Sequence, residues 1–537
     1  VRILIFHGYL LAGTGSNVYN ARLAEALAGL GHEVHLLSQD RRPEEQAFVD
    51  AVGDWDEGTL RVRELHRGAG RAGRCVVYRP DIGGLLPVYV ADRYEGVEAR
   101  TFALCSDREI AGYVEANVRA VAELATLVEP ELALANHLVM GPVILARALR
   151  GQVPYAVKIH GSALEYTVKP EPQRFLPAAR EGLAGAGGIL VGSRHTALSL
   201  WRALADPHVA ERTRLGPPGV DVRRFAPRTP AAAAAGVRAL AERLRAGGEE
   251  GEGEGEASAP PQSAFSREPR LAAQALESLE LGAGQGQDGD LPVAFVGKLI
   301  VSKGVDLLMA AWPLVLAREP RARLVVVGFG AYRAGLERLR EALISGDLEA
   351  AREVALAGRS LEHEGAPPHP LGHLLAFLDA LHSEVADDYL RAARMLDERV
   401  LFTGRLEHEE LAELLPACSA LVVPSTFPEA FGMVAAEAAA CGALPVSAAH
   451  SGLAEVTREL ARAVPARAAA SLSFPVDDAA VPALAGRVAD WLALDAETRA
   501  QARAGLVATV RQHWSWDRVA AGVIAAAQGE LAGLSEP

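Results

Sequence analysis

Two glutamates, Glu429 and Glu437, stand eight positions apart in STFPEAFGMVAAEAAACGALPVSAAHSGLAEV, residues 425–456, a stretch otherwise made mostly of small and apolar residues. If the spacing were helical throughout, a rise of ~1.5 Å per residue would part them by roughly 12 Å. An acid/base pair flanking a glycosidic bond needs about 5 to 9.5 Å. The pair therefore suits the two ends of one elongated, hydroxyl-bearing ligand. Amides of Phe431, Gly432 and Met433 at a helix mouth would bond negative charge between them. The plainer alternative is one carboxylate favouring the helix dipole and one unrelated solvated glutamate.

Lysine is rare enough to be informative, because only four of the 54 basic residues are lysine, namely Lys158, Lys169, Lys298 and Lys303. Two of these fall in FVGKLIVSKGVDLLMAAW, residues 295–312, with Lys298 at a strand end and Lys303 at the start of a helix. Two ammonium groups beside a helix N-terminus form a site for a dianion such as a diphosphate. Two solvated charges flanking a helix cap would give the same pattern.

His160 ends the strand of PYAVKIHGS, residues 154–162, where a doubly wound sheet would turn a polar side chain toward its ligand crevice. His137, Lys158 and His195 carry weaker claims of the same kind. Gly13 and Gly15 open a helix after the first strand, where a backbone can approach a phosphate or a sugar. A dinucleotide fingerprint is not met, since the third glycine position is Val18.

The elements that must position these residues read as α/β with parallel sheets, short apolar runs alternating with helical patterns. Expected strands are 2–6, 33–38, 132–137, 155–160 and 188–193 in the first half, and 293–297, 323–328, 399–404, 420–425 and 444–448 in the second. The division expected is 1–228 as one Rossmann-like domain, joined by a C-terminal helix at about 516–537, and 293–515 as another. Residues 229–292 read as a low-complexity insertion or linker, with 246–269 and 282–290 too rich in Gly, Glu, Pro and Ser to pack. Residues 341–398 read as an inserted helical hairpin.

Composition narrows the function classes. A chain of 537 residues, half of them hydrophobic, can bury two cores, and its net charge of −14 argues against nucleic acid as a partner. Four scattered cysteines, Cys75, Cys105, Cys418 and Cys441, suggest neither a zinc site nor a disulfide framework. No apolar run reaches the roughly 18 residues of a spanning helix, and the opening strand at Arg2 leaves no room for a signal peptide. The expected setting is cytoplasmic, with peripheral contact at the inner membrane left open.

These pieces together resemble the GT-B-fold retaining glycosyltransferases of family four. The resemblance rests on GTGSNVYNARLAEALAGLGHEVHLL, VKIHGS, GPPGVDVRRFAP, VGKLIVSKGVDLL, VVGFG, the run from FTGRLEHEELAELL through SGLAEV, and WSWDRVA, covering about half the chain in the expected order. It implies two doubly wound Rossmann-like domains facing a cleft, and transfer of a sugar from a nucleotide-diphosphate sugar to a sugar, lipid-linked or small polyol acceptor. Glu429 would hold hydroxyls of the donor sugar and Glu437 the ribose. Lys298 and Lys303 would neutralise the diphosphate, helped by amides from Phe431, Gly432, Met433 and Val434. His160 would sit by the sugar, and the Gly13–Asn17 loop, with Gly15, would close over the diphosphate. Gly328 would belong to the donor site, and Arg405 and Leu406 would lie beside the base.

The resemblance implies no cofactor and no metal. The Asp-Xaa-Asp runs at Asp54 and Asp56 and at Asp288 and Asp290 are taken as chance. Two departures stand out: Lys298 where an arginine is usual, and Ser451 with Gly452 where paired glycines are usual. A nucleotide-sugar epimerase and a non-catalytic sugar-nucleotide-binding scaffold are the competing readings.

Overall fold

The computed structural model describes the chain apart from residues 13–14, 57, 66–71, 90–97, 250–266, 283–288, 363–366 and 382. It divides into two compact units, Val1–Gly219 with Trp514–Pro537, and Val220–His513.

The first unit is built on a nine-stranded sheet of β1 (Arg2–Phe6), β2 (Glu33–Leu37), β3 (Ala51–Asp56), β4 (Thr59–Glu64), β5 (Arg74–Arg79), β8 (Leu132–Asn136), β9 (Tyr155–Ile159), β10 (Gly188–Val191) and β11 (Thr213–Leu215). Their spatial order is β11-β10-β9-β8-β1-β2-β5-β3-β4, and every neighbouring pair is parallel except β3 with β4. A small ribbon pairs β6 (Leu85–Val88) with β7 (Glu98–Thr101). Strands such as LALAN are buried along their whole length, as a sheet covered on both faces requires. The helix Trp516–Gln528 belongs here, burying Val519, Ala520, Val523, Ala526 and Ala527 in the core formed with β1, β2 and the helix Gly15–Gly29.

The second unit carries six parallel strands, β12 (Leu291–Val296), β13 (Ala322–Val327), β14 (Val400–Gly404), β15 (Ala420–Val423), β16 (Leu444–Ala448) and β17 (Ser473–Phe474), in the order β14-β13-β12-β15-β16-β17. In both sheets the chain runs outward from a central strand and returns to its other side. The reversal falls between β1 and β8 in one unit and between β12 and β15 in the other. Ligands of such sheets bind at the carboxyl ends of the strands flanking that point.

Two expectations need correction. Inside the stretch read as a low-complexity linker, Pro230–Glu249 and Pro269–Glu277 are helices. Val237, Leu240, Ala241, Leu244, Ala272 and Leu276 are buried on them, a helical spacing of apolar residues that the acidic Gly-rich run between them obscures. The runs 250–266 and 283–288, which carry most of the expected disorder and include Asp288, lie outside the described residues. Asp290 is buried and pairs with Arg323 at 3.0 Å and Arg399 at 2.8 Å, a structural bridge. The segment between β13 and β14 holds more than a hairpin: helices Arg333–Ser345, Leu348–Ala357, Gly372–Ala380, Ser383–Ala393 and Leu396–Arg399. Leu374, Phe377, Leu378 and Tyr389 are buried on it.

Candidate functional site

At the reversal point of the second unit, β12 leads through Lys298 to the short turn Val301–Lys303, and β15 leads through Ser425 to Glu429. Gly304 makes their meeting sterically possible. Its φ is +66°, and a Cβ there would stand 2.0 Å from the Pro424 carbonyl oxygen, so no other residue lets the lysine turn lie so close to the end of β15. The Thr426 N–H donates to the Ser302 carbonyl at 3.0 Å and fixes the contact.

Lys303 Nζ forms an ion pair with Glu429 Oε1, and the Ser425 hydroxyl donates to the same oxygen at 2.7 Å. Burial alone would push the Glu429 carboxyl up, but the Lys303 ammonium, the Ser425 hydroxyl and His450 outweigh it and hold the pKa below the usual carboxylate range. The result is a fixed, ionised carboxylate with a neighbouring cation.

The backbone of Glu429 is held as closely as its side chain. Its N–H donates to Ser451 Oγ at 2.9 Å, and its carbonyl accepts from Gly452 N–H at 2.9 Å. Ser451 in turn bonds His450 Nδ1 at 3.1 Å, while His450 Nε2 donates to the Ser425 carbonyl at 2.7 Å. Ser451 has φ +52°, a conformation that costs a non-glycine residue about 1 kcal/mol. Its departure from paired glycines thus supplies a hydroxyl to the Glu429 loop. Gly452 must be glycine, since a Cβ would lie 2.6 Å from the Ala430 carbonyl carbon.

The helix Met433–Cys441 starts four residues after Glu429, with Gly432 at φ +130° as its N-cap and no side chain capping it. Glu429 is therefore not on the helix, and the roughly 12 Å separation that assumed continuous helix does not apply. Glu437, in the second turn, is buried, and its Oε1 accepts from His408 Nε2 at 2.8 Å. The His408 ring also lies 4.8 Å from Phe225. Glu437 and Glu429 thus have separate partners and separate surroundings. Phe431 is buried, and Gly432, Met433 and Val434 are half-buried at the helix start.

The remaining expected residues of this unit sit at neighbouring strand ends. Gly328 follows β13 and donates its N–H to the Gly404 carbonyl at 3.0 Å. Arg405 follows β14, its guanidinium 5.6 Å from the Phe329 ring centroid and 3.1 Å from Glu407, and Leu406 beside it is buried.

In the first unit, His160 follows β9 and is half-buried, its Nε2–H donating to Asn136 Oδ1 at 2.8 Å. His7 follows β1, bonded to Asn20 Nδ2 at 3.0 Å, to Asn17 Oδ1 at 3.1 Å and to the Leu10 carbonyl at 2.9 Å. His137 follows β8, its ring 4.8 Å from His160 and 4.4 Å from Tyr89, and neither of its ring nitrogens has a hydrogen-bond partner among the described residues. Burial pushes His7 down to about 4 and His137 and His160 well below the ordinary histidine value, so all three are neutral at pH 7. Lys158 is buried, its Nζ donating to the Gly216 carbonyl and standing 5.4 Å from the Tyr19 ring centroid, and burial lowers it to about 7. Gly15 is exposed at the start of its helix, and Gly13 lies outside the described residues. His195 is on the helix Arg194–Leu204.

Sequence reasoning passed over His7, Asn136, His408, Ser425 and His450. Position at or just past the end of a central strand was the available signal for His7, Asn136 and Ser425. For His408 and His450 no such signal exists.

Residues 14–216 match the family described as glycosyl transferase 4-like domain, and residues 388–503 match glycosyl transferases group 1. The chain belongs to the group 1 glycosyltransferases of GT-B fold. A D-inositol 3-phosphate glycosyltransferase of Frankia alni is 28% identical over 327 residues, 59% of this chain and 57% of that protein. The phosphatidylinositol N-acetylglucosaminyltransferase gpi3 subunit of Schizosaccharomyces pombe is 25% identical over 31% of this chain and 25% of its own length. The chain thus spans little more than half the length of the first relative and a quarter of the second. Among solved structures, sucrose-phosphate synthase from Thermosynechococcus elongatus superposes with a TM-score of 0.52 at 20% identity, covering 97% of this chain and 96% of the other. Anabaena HepE in complex with UDP and glucose gives 0.52 at 16% identity, covering 97% and 98%. At these identities the structural likeness establishes the fold of this group 1 glycosyltransferase chain. Among the described residues no helix is long and apolar enough to cross a membrane.

Proposed function

We propose that the protein is a retaining glycosyltransferase that moves a sugar from a nucleotide-diphosphate sugar to a hydroxyl of a sugar, lipid-linked or small polyol acceptor, without needing a metal ion. The observation that carries this reading is the meeting of Lys303, Ser425 and Glu429 at the reversal point of the second unit, with Glu437 held by His408 on the adjoining helix. Breaking the bond between sugar carbon and diphosphate oxygen leaves negative charge on the diphosphate and positive character on the carbon. Lys298, Lys303 and the uncapped helix start at Gly432 would take up the first. The ionised Glu429 would hold sugar hydroxyls beside the second.

In the proposed step the acceptor oxygen attacks from the face the diphosphate leaves. The new carbon–oxygen bond forms as the old one breaks, and the acceptor proton passes to the departing phosphate. His160, neutral and fixed by Asn136, would bond the sugar or the acceptor rather than ionise. Glu437 would hold the ribose, and Arg405 and Leu406 would border the base.

The test is release of free nucleoside diphosphate from a panel of UDP-, GDP- and ADP-sugars offered with polyol, sugar and lipid-linked acceptors. Acceptor-dependent release with one donor is the expected result. Tight donor binding without release under any acceptor would favour a scaffold, and conversion of the donor sugar without transfer would favour an epimerase. The ionised Glu429 between Lys303 and Ser425 supports the transferase.

A further inference from the structure

The unit Val220–His513 contains a lined hollow that the proposed donor chemistry does not use. A cavity of about 150 Å³ lies against the start of the helix Val305–Leu316, bordered by Asp306, Arg359, His369, His373, Val301 and Thr426 among others. Arg359, His369 and His373 come from the helical segment between β13 and β14, so this insertion builds one wall. Glu362 of the same segment accepts the Val301 N–H at 2.7 Å and anchors that wall to the turn bearing Lys303.

Asp306 is 3% exposed, and its Oδ1 has no hydrogen-bond partner among the described residues. A buried carboxylate oxygen left so costs about 1–3 kcal/mol, more if charged, unless something fills the gap. The Tyr332 hydroxyl is likewise fully buried without a partner among the described residues, and burial and then the Asp306 charge raise its pKa. Burial pushes the Asp306 carboxyl up to about 7, against the N–H groups of Asp306 and Leu307. Near neutrality it can accept from a hydroxyl or donate to one.

The mouth has the opposite character. Arg359 and His369 are exposed there, and His373 is half-buried with Nδ1 3.3 Å from Asp478. We propose that this cavity binds a small hydroxyl-bearing anion, its hydroxyl seated on Asp306 and its anionic group held at the mouth by Arg359, His369 and His373. The volume, that of an engineered cavity which admits benzene, suits the hydroxyl end of a three-carbon polyol phosphate and is too small for a nucleotide sugar.

The test is calorimetric titration of glycerol 3-phosphate into the full chain, with glycerol and inorganic phosphate titrated separately. Glycerol 3-phosphate should bind at least ten-fold more tightly than either fragment. Arg359→Ala, at an exposed position, should weaken it at least ten-fold, and Lys303→Ala should leave it unchanged. No binding, equal affinity for inorganic phosphate, undiminished affinity in Arg359→Ala, or loss in Lys303→Ala would each overturn the proposal. The readout needs no turnover, so its failure leaves the transferase reading untouched.

Discussion

Lys303 and Glu429, 126 positions apart, meet as an ion pair at the carboxyl ends of β12 and β15. The pair keeps a largely buried carboxylate ionised, and in the proposed function an incoming diphosphate would take over from the carboxylate as partner of the ammonium. Lys303→Met should weaken nucleoside diphosphate binding about 10- to 100-fold, and a buried carboxylate deprived of its cation should cost about 1–3 kcal/mol of stability at pH 7. The sign follows from the lowered Glu429 pKa: its contribution is present above the unfolded carboxyl value and is lost as pH falls through the folded one. Urea unfolding of wild type and variant at pH 7 and pH 4 checks this, the gap between them closing at the lower pH.

Ser451 separates strain from bonding. Ser451→Ala keeps the left-handed backbone but removes the acceptor for the Glu429 N–H, so it should destabilise by about 1–2 kcal/mol. Ser451→Gly loses the same bond but relieves the backbone and should come out near neutral in thermal midpoint. Both should lower transfer rate, because each frees the loop that carries Glu429.

His408 is expected to act through Glu437. His408→Ala should weaken nucleotide binding several-fold with little change in turnover at saturating donor, and His408→Gln, which can still donate to the carboxylate, should restore part of it. Kinetic measurement of KM and kcat for the donor distinguishes this from a general loss of stability, which would lower the active fraction and leave KM alone.

Acid should loosen the first unit. Burial holds His7 and His35 down to about 4, and His137 and His160 well below the ordinary value, so each binds a proton on unfolding between about pH 6.5 and its folded pKa. Every such proton lowers stability by about 1.4 kcal/mol per pH unit of descent. Unfolding free energy should therefore drop by several kcal/mol from pH 7 to pH 5, and His137→Asn, at a position of φ +68° that asparagine tolerates, should flatten the slope. Equal stability at both pH values would refute the buried neutral histidines.

The sequence made central features legible where one physical signal dominated. Runs such as LALA, before Asn136, and ALVV are apolar because both faces of a parallel sheet are covered, and they stand out on that account. TLRVRE, β4, is mostly polar and exposed at the sheet edge, so it gives no such signal. Residue type and position marked Lys303 as one of two cations for a dianion and Glu429 as one end of a hydroxyl-bearing ligand, and only the family resemblance joined them on one donor. Their direct pairing, and the service of Ser451, His450 and His408 to the two glutamates, depend on approaches between distant segments that Gly304 and Gly452 permit. Ser451 read from the sequence as a departure from paired glycines, and its hydroxyl is what the loop is tied to. The helices Pro230–Glu249 and Pro269–Glu277 escaped because the acidic, glycine-rich run between them dominates the local composition.

The most direct test of the whole account compares Glu429→Ala with Glu437→Ala, measuring for each the nucleoside diphosphate Kd and the rate of sugar transfer at saturating donor. With one carboxylate on the sugar and the other on the ribose, Glu429→Ala should lower transfer at least 100-fold with Kd changed less than about three-fold, and Glu437→Ala should raise Kd about ten-fold with a smaller effect on transfer. Equal and negligible effects of both substitutions would return the two glutamates to a structural role and contradict the account.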